Sequence, residues 1–171
     1  MTVGRRAFLT FLAAVAMPAP ASAMALPLIE LPGNVEAPDF AIADMSGTFH
    51  RLSQYRGRPV LIAFWAVWCP PCRREIAALA ELRERLAGVG VEVLAVNLGD
   101  SGERVAAFLR DHPAPGLPVL LDREKSTAAP WHVRGLPSAY VADARGILRL
   151  GAIGERDWRA PVIEAQLRSL I

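Results

Sequence analysis

The chain has 171 residues, 53% of them hydrophobic, with 19 basic and 17 acidic side chains. That length suits one domain with a sizeable core, and the near balance of charge argues against a nucleic-acid partner, which would need a basic face. With only two cysteines, neither a disulfide-stapled scaffold nor a four-cysteine zinc site can be built.

The N-terminus reads as a targeting segment. Arg5-Arg6 leads into the apolar run Phe8–Met17, which is short for a membrane span, and then into Pro18, Pro20 and the small triplet Ala21-Ser22-Ala23. This three-part pattern predicts a cleavable export signal over residues 1–23, cut after Ala23. Gly4-Arg5-Arg6-Ala7-Phe8-Leu9 further resembles a twin-arginine signal. An ordinary secretory signal, or an uncleaved segment kept as an anchor, are the alternatives. No cysteine lies near the cut to carry a lipid. Removing residues 1–23 takes away two arginines and no acid, leaving 17 basic against 17 acidic side chains. Residues 24–36, with Pro27, Pro32 and Gly33, read as an extended lead-in, and residues 37–171 as the domain.

Alternating Phe40-Ala41-Ile42-Ala43, the Ser46-Gly47 turn and Thr48–Leu52 predict a short hairpin. Pro59–Trp65 is apolar and β-rich and predicts a buried central strand. Beyond it, Ile76, Leu79, Leu82 and Leu86 recur at helical spacing up to Gly88 and Gly90. Cys69 and Cys72 therefore fall where a strand turns into a helix. The unpaired N–H groups and positive end of that helix favour an anion, which makes Cys69 the expected exposed nucleophile and Cys72 the resolving thiol. A structural disulfide is the alternative, but so short a loop removes little unfolded-chain entropy. Half of a zinc site lacks its second cysteine pair.

Val91–Asn97 predicts a second core strand and completes a βαβ unit. Asp100 with Glu103 resembles a capping box opening a helix that bears Val105, Phe108 and Leu109, ended by Pro113, Pro115 and Gly116. Leu117–Asp122 reads as a short strand, followed by a polar segment with the only lysine, Lys125. Ser138–Ala142, the turn Asp143–Gly146 and Ile147–Ile153 form a hairpin. Pro161 opens a last helix with Val162, Ile163, Leu167 and Leu170 on its inner face.

The run Phe64-Trp65-Ala66-Val67-Trp68-Cys69-Pro70-Pro71-Cys72-Arg73-Arg74-Glu75, with Gly135-Leu136-Pro137-Ser138 downstream, resembles the TlpA-like (TlpA/ResA/DsbE) thioredoxin-fold thiol–disulfide oxidoreductases. Ala37-Pro38-Asp39-Phe40 and Leu52–Pro59 extend the resemblance from about Ala37 to the C-terminus. It implies an α/β thioredoxin-like fold, a central mixed β-sheet flanked by helices, with an extra N-terminal β-hairpin. Ala63 departs from the family, where Asp or Asn is usual, and so does Ala77, where a proline is usual.

By the same resemblance Pro137 is a cis-proline, the Leu136 backbone pairs with a substrate chain as an added strand, and Trp68 offers a contact surface while Trp65 is core. Glu75 matches the family's helix glutamate and is expected to take the Cys72 proton and tune the thiol pKa. Its alternative is a solvated glutamate paired with Arg73 or Arg74. His132 with Cys69 and Cys72 would make a three-ligand copper(I) site and a copper-binding assembly factor. The preferred reading has no metal and no cofactor beyond the Cys69–Cys72 pair. His50 and His112 carry no reading beyond surface or turn positions. A peroxidase is disfavoured because its usual peroxidatic motif is not apparent.

The expected protein is a monomeric dithiol reductase of protein disulfides, in the bacterial periplasm or on the extracytoplasmic face of the membrane. Resemblance implies targets such as apocytochrome c (cytochrome c maturation) or copper and oxidase assembly proteins, with a membrane thiol donor of the DsbD/CcdA kind. Pro70 and Pro71 lack N–H groups that would otherwise face a Cys69 thiolate, which leans the pair towards a reductant. An oxidant or isomerase on the same scaffold is the alternative.

Overall fold

A computed structural model describes residues 26–171; the predicted export signal lies outside the described residues. The elements in order are β1 (Ile29–Glu30), β2 (Ala41–Ala43), β3 (Phe49–Arg51), a 3₁₀ turn (Leu52–Tyr55), β4 (Val60–Trp65), α1 (Pro70–Ala87), β5 (Glu92–Leu98), α2 (Gly102–Asp111), β6 (Val119–Asp122), β7 (Ser138–Ala142), β8 (Leu148–Ile153) and α3 (Pro161–Arg168). One mixed sheet runs β1-β8-β7-β4-β5-β6, and β2 and β3 form a separate hairpin. β4 is parallel to β5 and antiparallel to β7.

All six residues of β4 are buried, because both faces of the sheet are covered. Leu61, Ala63 and Trp65 point into the core shared with Ile76, Leu79 and Leu82 of α1, Val105 and Phe108 of α2, and Ile163 and Leu167 of α3. Val60, Ile62 and Phe64 point the other way, into a second core closed by Phe40, Ile42, Leu52, Tyr55 and Trp131. The period-two alternation thus assigns three helices to one face and the hairpin, the 3₁₀ turn and the loop around Trp131 to the other. The hairpin docks on β6 through the Met45 N–H to the Val119 carbonyl, 3.0 Å, and an Asp44–Leu120 bridge.

The expected elements are present, with local corrections. The lead-in is not simply extended: Ile29 and Glu30 pair with Gly151 and Leu150 and cover the edge of β8. Leu52 belongs to the 3₁₀ turn rather than to the hairpin strand. Ser101, not Asp100, caps α2, its side chain accepting the Arg104 N–H. Ile163 and Leu167 form the inner face of α3, whereas Val162 is exposed.

Candidate functional site

The end of β4 delivers the chain into a tight turn in which the Cys69 N–H bonds the Ala66 carbonyl at 3.2 Å. Cys69 is the N-cap of α1, with extended backbone angles, and Pro70 and Pro71 fill the first two helical positions. Proline suits those positions, since their N–H groups would have no helical partner. The first N–H that the helix can offer is that of Cys72, which donates to Cys69 Sγ at 3.4 Å. The two cysteines form a disulfide with Cα atoms 5.3 Å apart.

In the disulfide the Cys69 sulfur is not at the exposed position the sequence led us to expect. In the oxidised pair it is 3% exposed and Cys72 is fully buried, while Trp68, immediately before them, is 60% exposed. The sulfurs belong to the α1-side core, with Trp65 and Ile76, whereas Trp68 lies outside that core.

Pro137 reaches the same end of the sheet from β7, where Ser138 lies opposite Phe64. The Leu136–Pro137 peptide is cis. The Ser138 hydroxyl donates to the Gly135 carbonyl at 2.7 Å, and the Gly154 N–H donates to the Pro137 carbonyl at 2.9 Å. Leu136 is half-buried and packs against both cores.

Glu75 lies one helical turn beyond Cys72 and is only 4% exposed. Its Oε1 accepts the Arg156 backbone N–H. Burial pushes its pKa up from 4.5 to about 7, against the Arg156 N–H and the Trp158 indole, which pull it down; the nearby Glu155 charge adds to the rise. Trp158 Nε1 has no partner at hydrogen-bond geometry, so the indole acts on the carboxyl as a nearby dipole rather than through an aligned bond.

The neighbouring arginines do not pair with Glu75. Arg74 makes a two-pronged bond to Glu155, at 2.7 and 2.5 Å, and the Arg73 guanidinium lies over the Phe108 ring, 5.5 Å from its centroid. Both line an open cleft of about 560 Å³ beside Pro70, with Ala77, Asp111, His112 and Pro113.

His132 is exposed, with a left-handed φ of 50°. Among the described residues no three His, Cys, Asp or Glu side chains are grouped to hold a metal, so the Cys69, Cys72 and His132 site is not assembled. His50 is more than a surface residue: its ring bridges Tyr55 Oη and Asp44 Oδ2.

Sequence reasoning missed two further contributors. Asp100, read as a helix cap, accepts the Val67 N–H at 2.7 Å and the Asn97 Nδ2 group at 3.0 Å. The segment around Arg156 and Trp158 closes over Glu75. A polar Asn97-x-x-Asp100 pair ending an apolar strand was the available signal for the first. No periodicity marked the second.

Residues 34–150 match the family model described as AhpC/TSA. The chain belongs to the AhpC/TSA family. The thiol–disulfide oxidoreductase ResA of Geobacillus kaustophilus is 38% identical over 110 residues, 64% of this chain and 63% of that protein. The thiol:disulfide interchange protein DsbE of Vibrio cholerae is 30% identical over 138 residues, 76% of this chain and 73% of that one. A Chlorobium tepidum structure described as a DsbE-type thiol:disulfide interchange protein superposes with a TM-score of 0.74 at 30% identity, covering 82% of this chain and 98% of the other. These relatives bear out the TlpA/ResA/DsbE resemblance and the thioredoxin-like fold. The matched stretch spans less than two thirds of the ResA relative's length. No helix among the described residues is long and apolar enough to cross a membrane.

Proposed function

We propose that the protein is an extracytoplasmic thiol–disulfide oxidoreductase that works as a dithiol reductase of protein disulfides. The observation that carries this reading is the Cys69–Cys72 disulfide at the start of α1, with the buried Glu75, its pKa pushed up to about 7 by burial, one helical turn beyond Cys72.

In the reduced protein Cys69, as thiolate, attacks one sulfur of the target disulfide. A mixed disulfide forms, and the target's other sulfur leaves and takes a proton. Glu75, ionised in part at neutral pH, accepts the Cys72 proton, and the Cys72 sulfur attacks Cys69 Sγ. The target leaves as a dithiol, two electrons richer, and the Cys69–Cys72 disulfide is restored. The exposed Trp68, next to Cys69 in the chain, and the Leu136 backbone, before the cis-proline, are the proposed contacts for the target chain. The electrons pass through the cysteine pair itself, and no bound cofactor enters these steps.

Reductase turnover outside the cytoplasm requires an external electron source. A membrane thiol donor of the DsbD/CcdA kind fills that role, and apocytochrome c or copper and oxidase assembly proteins are the proposed targets, by likeness to the ResA and DsbE proteins. The missing N–H groups of Pro70 and Pro71 leave a thiolate at Cys69 less stabilised than at an ordinary helix start, which favours the disulfide form and a reducing pair.

The test is the Cys69–Cys72 reduction potential, measured against dithiothreitol or glutathione buffers. A value near or below about −270 mV supports the reductase; one near −120 mV makes the protein an oxidant and overturns the proposed direction.

A further inference from the structure

Asp100 is a buried carboxylate that the dithiol chemistry above does not use. Its side chain is 2% exposed, with Oδ1 3.4 Å from Arg104 Nε. Oδ2 accepts both the Val67 N–H and the Asn97 side-chain N–H. The Asp100 N–H returns to Asn97 Oδ1 at 3.2 Å, closing a mutual pair. Asn97 is itself fully buried and stands opposite Trp65 in the β4–β5 register. Val67 sits inside the turn that runs from Trp65 to Cys69, so a polar bracket at the end of β5 grips the turn that presents the first cysteine.

This bracket is not explained by the helix that follows. Ser101 supplies the α2 cap, and a carboxylate taken out of water is costly unless its bonds repay it. The contacts it makes reach back to the Val67 N–H, the backbone donor of a half-buried residue within the turn.

We infer that Asp100, braced by Asn97, is a positioning residue for Cys69. By holding Val67 it fixes the Ala66–Cys69 turn, and with it the separation of the two sulfurs when the pair is reduced. It thereby sets the equilibrium constant for closing the disulfide. The closure oxidises two thiols to one disulfide and releases two protons, and in the test its two electrons pass to oxidised dithiothreitol. This inference rests on the reading of the pair as redox-active.

The experiment equilibrates the wild-type protein, Asp100→Ala and Asp100→Asn with dithiothreitol buffers, with thermal unfolding of the oxidised proteins recorded alongside. Asp100→Ala should lower the closure constant about tenfold, equivalent to a rise of about 30 mV. Asp100→Asn keeps an oxygen able to accept both N–H groups and should stay within about twofold of wild type. An Ala variant that unfolds earlier but closes its disulfide like wild type makes Asp100 merely structural and overturns the inference. An Asn variant shifted as far as the Ala variant assigns the effect to charge and overturns it too. If Asp100→Ala does not fold, Asn97→Ala should move the constant in the same direction by a smaller factor, and an unmoved constant refutes the bracket. Failure of the wild-type pair to exchange with dithiothreitol at all instead removes the redox reading, and the inference with it.

Discussion

Replacing Glu75 by Gln tests the buried carboxyl directly. The amide has the same shape and keeps an oxygen to accept the Arg156 N–H, so packing is preserved and the ionisable group alone is lost. Glu75 is pushed from 4.5 up to about 7 in the folded protein, chiefly by burial. Between those two values the native state holds a proton that the unfolded chain has released. The stability this proton brings is therefore fully present below about pH 4.5 and is lost as pH rises through 7. At 1.36 kcal/mol for each pH unit the gap amounts to about 3 kcal/mol. Glu75→Gln, which carries no such penalty, should match wild type at pH 4.5 and exceed it by about 3 kcal/mol at pH 8 to 9.

The assay is urea unfolding of the oxidised proteins, followed by tryptophan fluorescence across that pH range and compared as a difference. A difference that stays flat with pH would mean that Glu75 titrates as an ordinary surface glutamate. One that grows towards acid would mean that the site stabilises the ionised form. Either result refutes the account of the carboxyl. On the proposed mechanism, in which Glu75 accepts the Cys72 proton, the same variant should slow the resolving step by on the order of 10²-fold and accumulate mixed disulfide. More stable and less active is the paired outcome expected.

Three further substitutions probe other parts of the argument. Trp68→Ala should leave stability within about 0.5 kcal/mol, since the indole is 60% exposed, yet lower kcat/KM for a protein disulfide by about tenfold or more. Equal rates for both proteins would remove Trp68 from the contact surface. Ile76→Ala, at a fully buried position on the inner face of α1, should cost about 2–5 kcal/mol in denaturant unfolding. Asp44 is pushed up by burial but pulled down further, to about 2, by the Ser46 hydroxyl and N–H, the His50 ring and the Thr48 N–H. Asp44→Asn should thus be less stable by about 1 kcal/mol at pH 7. That deficit should shrink as pH falls from 3.8 towards 2 in an acid titration of unfolding.

What could be read from the residues in advance was what neighbouring positions decide. The buried run before Cys69, the helical spacing of Ile76, Leu79, Leu82 and Leu86, and the turn Asp143–Gly146 each carry their signal within a few residues, so β4, α1 and the β7–β8 hairpin appear where expected. The cysteine pair at a strand-to-helix junction needed no more than that. Contacts between distant segments carried no such signal. Ile29 and Glu30 are too few to announce a strand and become one only because β8 offers an edge. Asp100 looks like a cap in one dimension, but Ser101 is better placed for the Arg104 N–H. Asp100 then turns back to Val67, 33 residues earlier. Glu75 has the look of a solvated helix residue following two arginines until a loop 81 residues later closes over it.

Two buried carboxyl groups, one on each side of the Cys69–Cys72 segment's attachment to the fold, are held in different ways. Glu75 comes from the helix side and accepts a single backbone N–H, so little offsets the cost of burying its charge and its proton is held to about pH 7. Asp100 comes from the strand side and gathers two N–H donors on one oxygen, with a guanidinium near the other. In the proposed mechanism the first exchanges a proton with Cys72, and in the inference drawn above the second holds the turn before Cys69. The two positions should therefore answer different measurements. Glu75→Gln should move the pH dependence of the resolving step while leaving the spacing of the sulfurs alone. Asp100→Ala should move the closure constant while leaving the pH dependence of that step in place. A variant at either position that moved both would mean that the two acids act on the dithiol as one electrostatic field, and that neither has a role of its own.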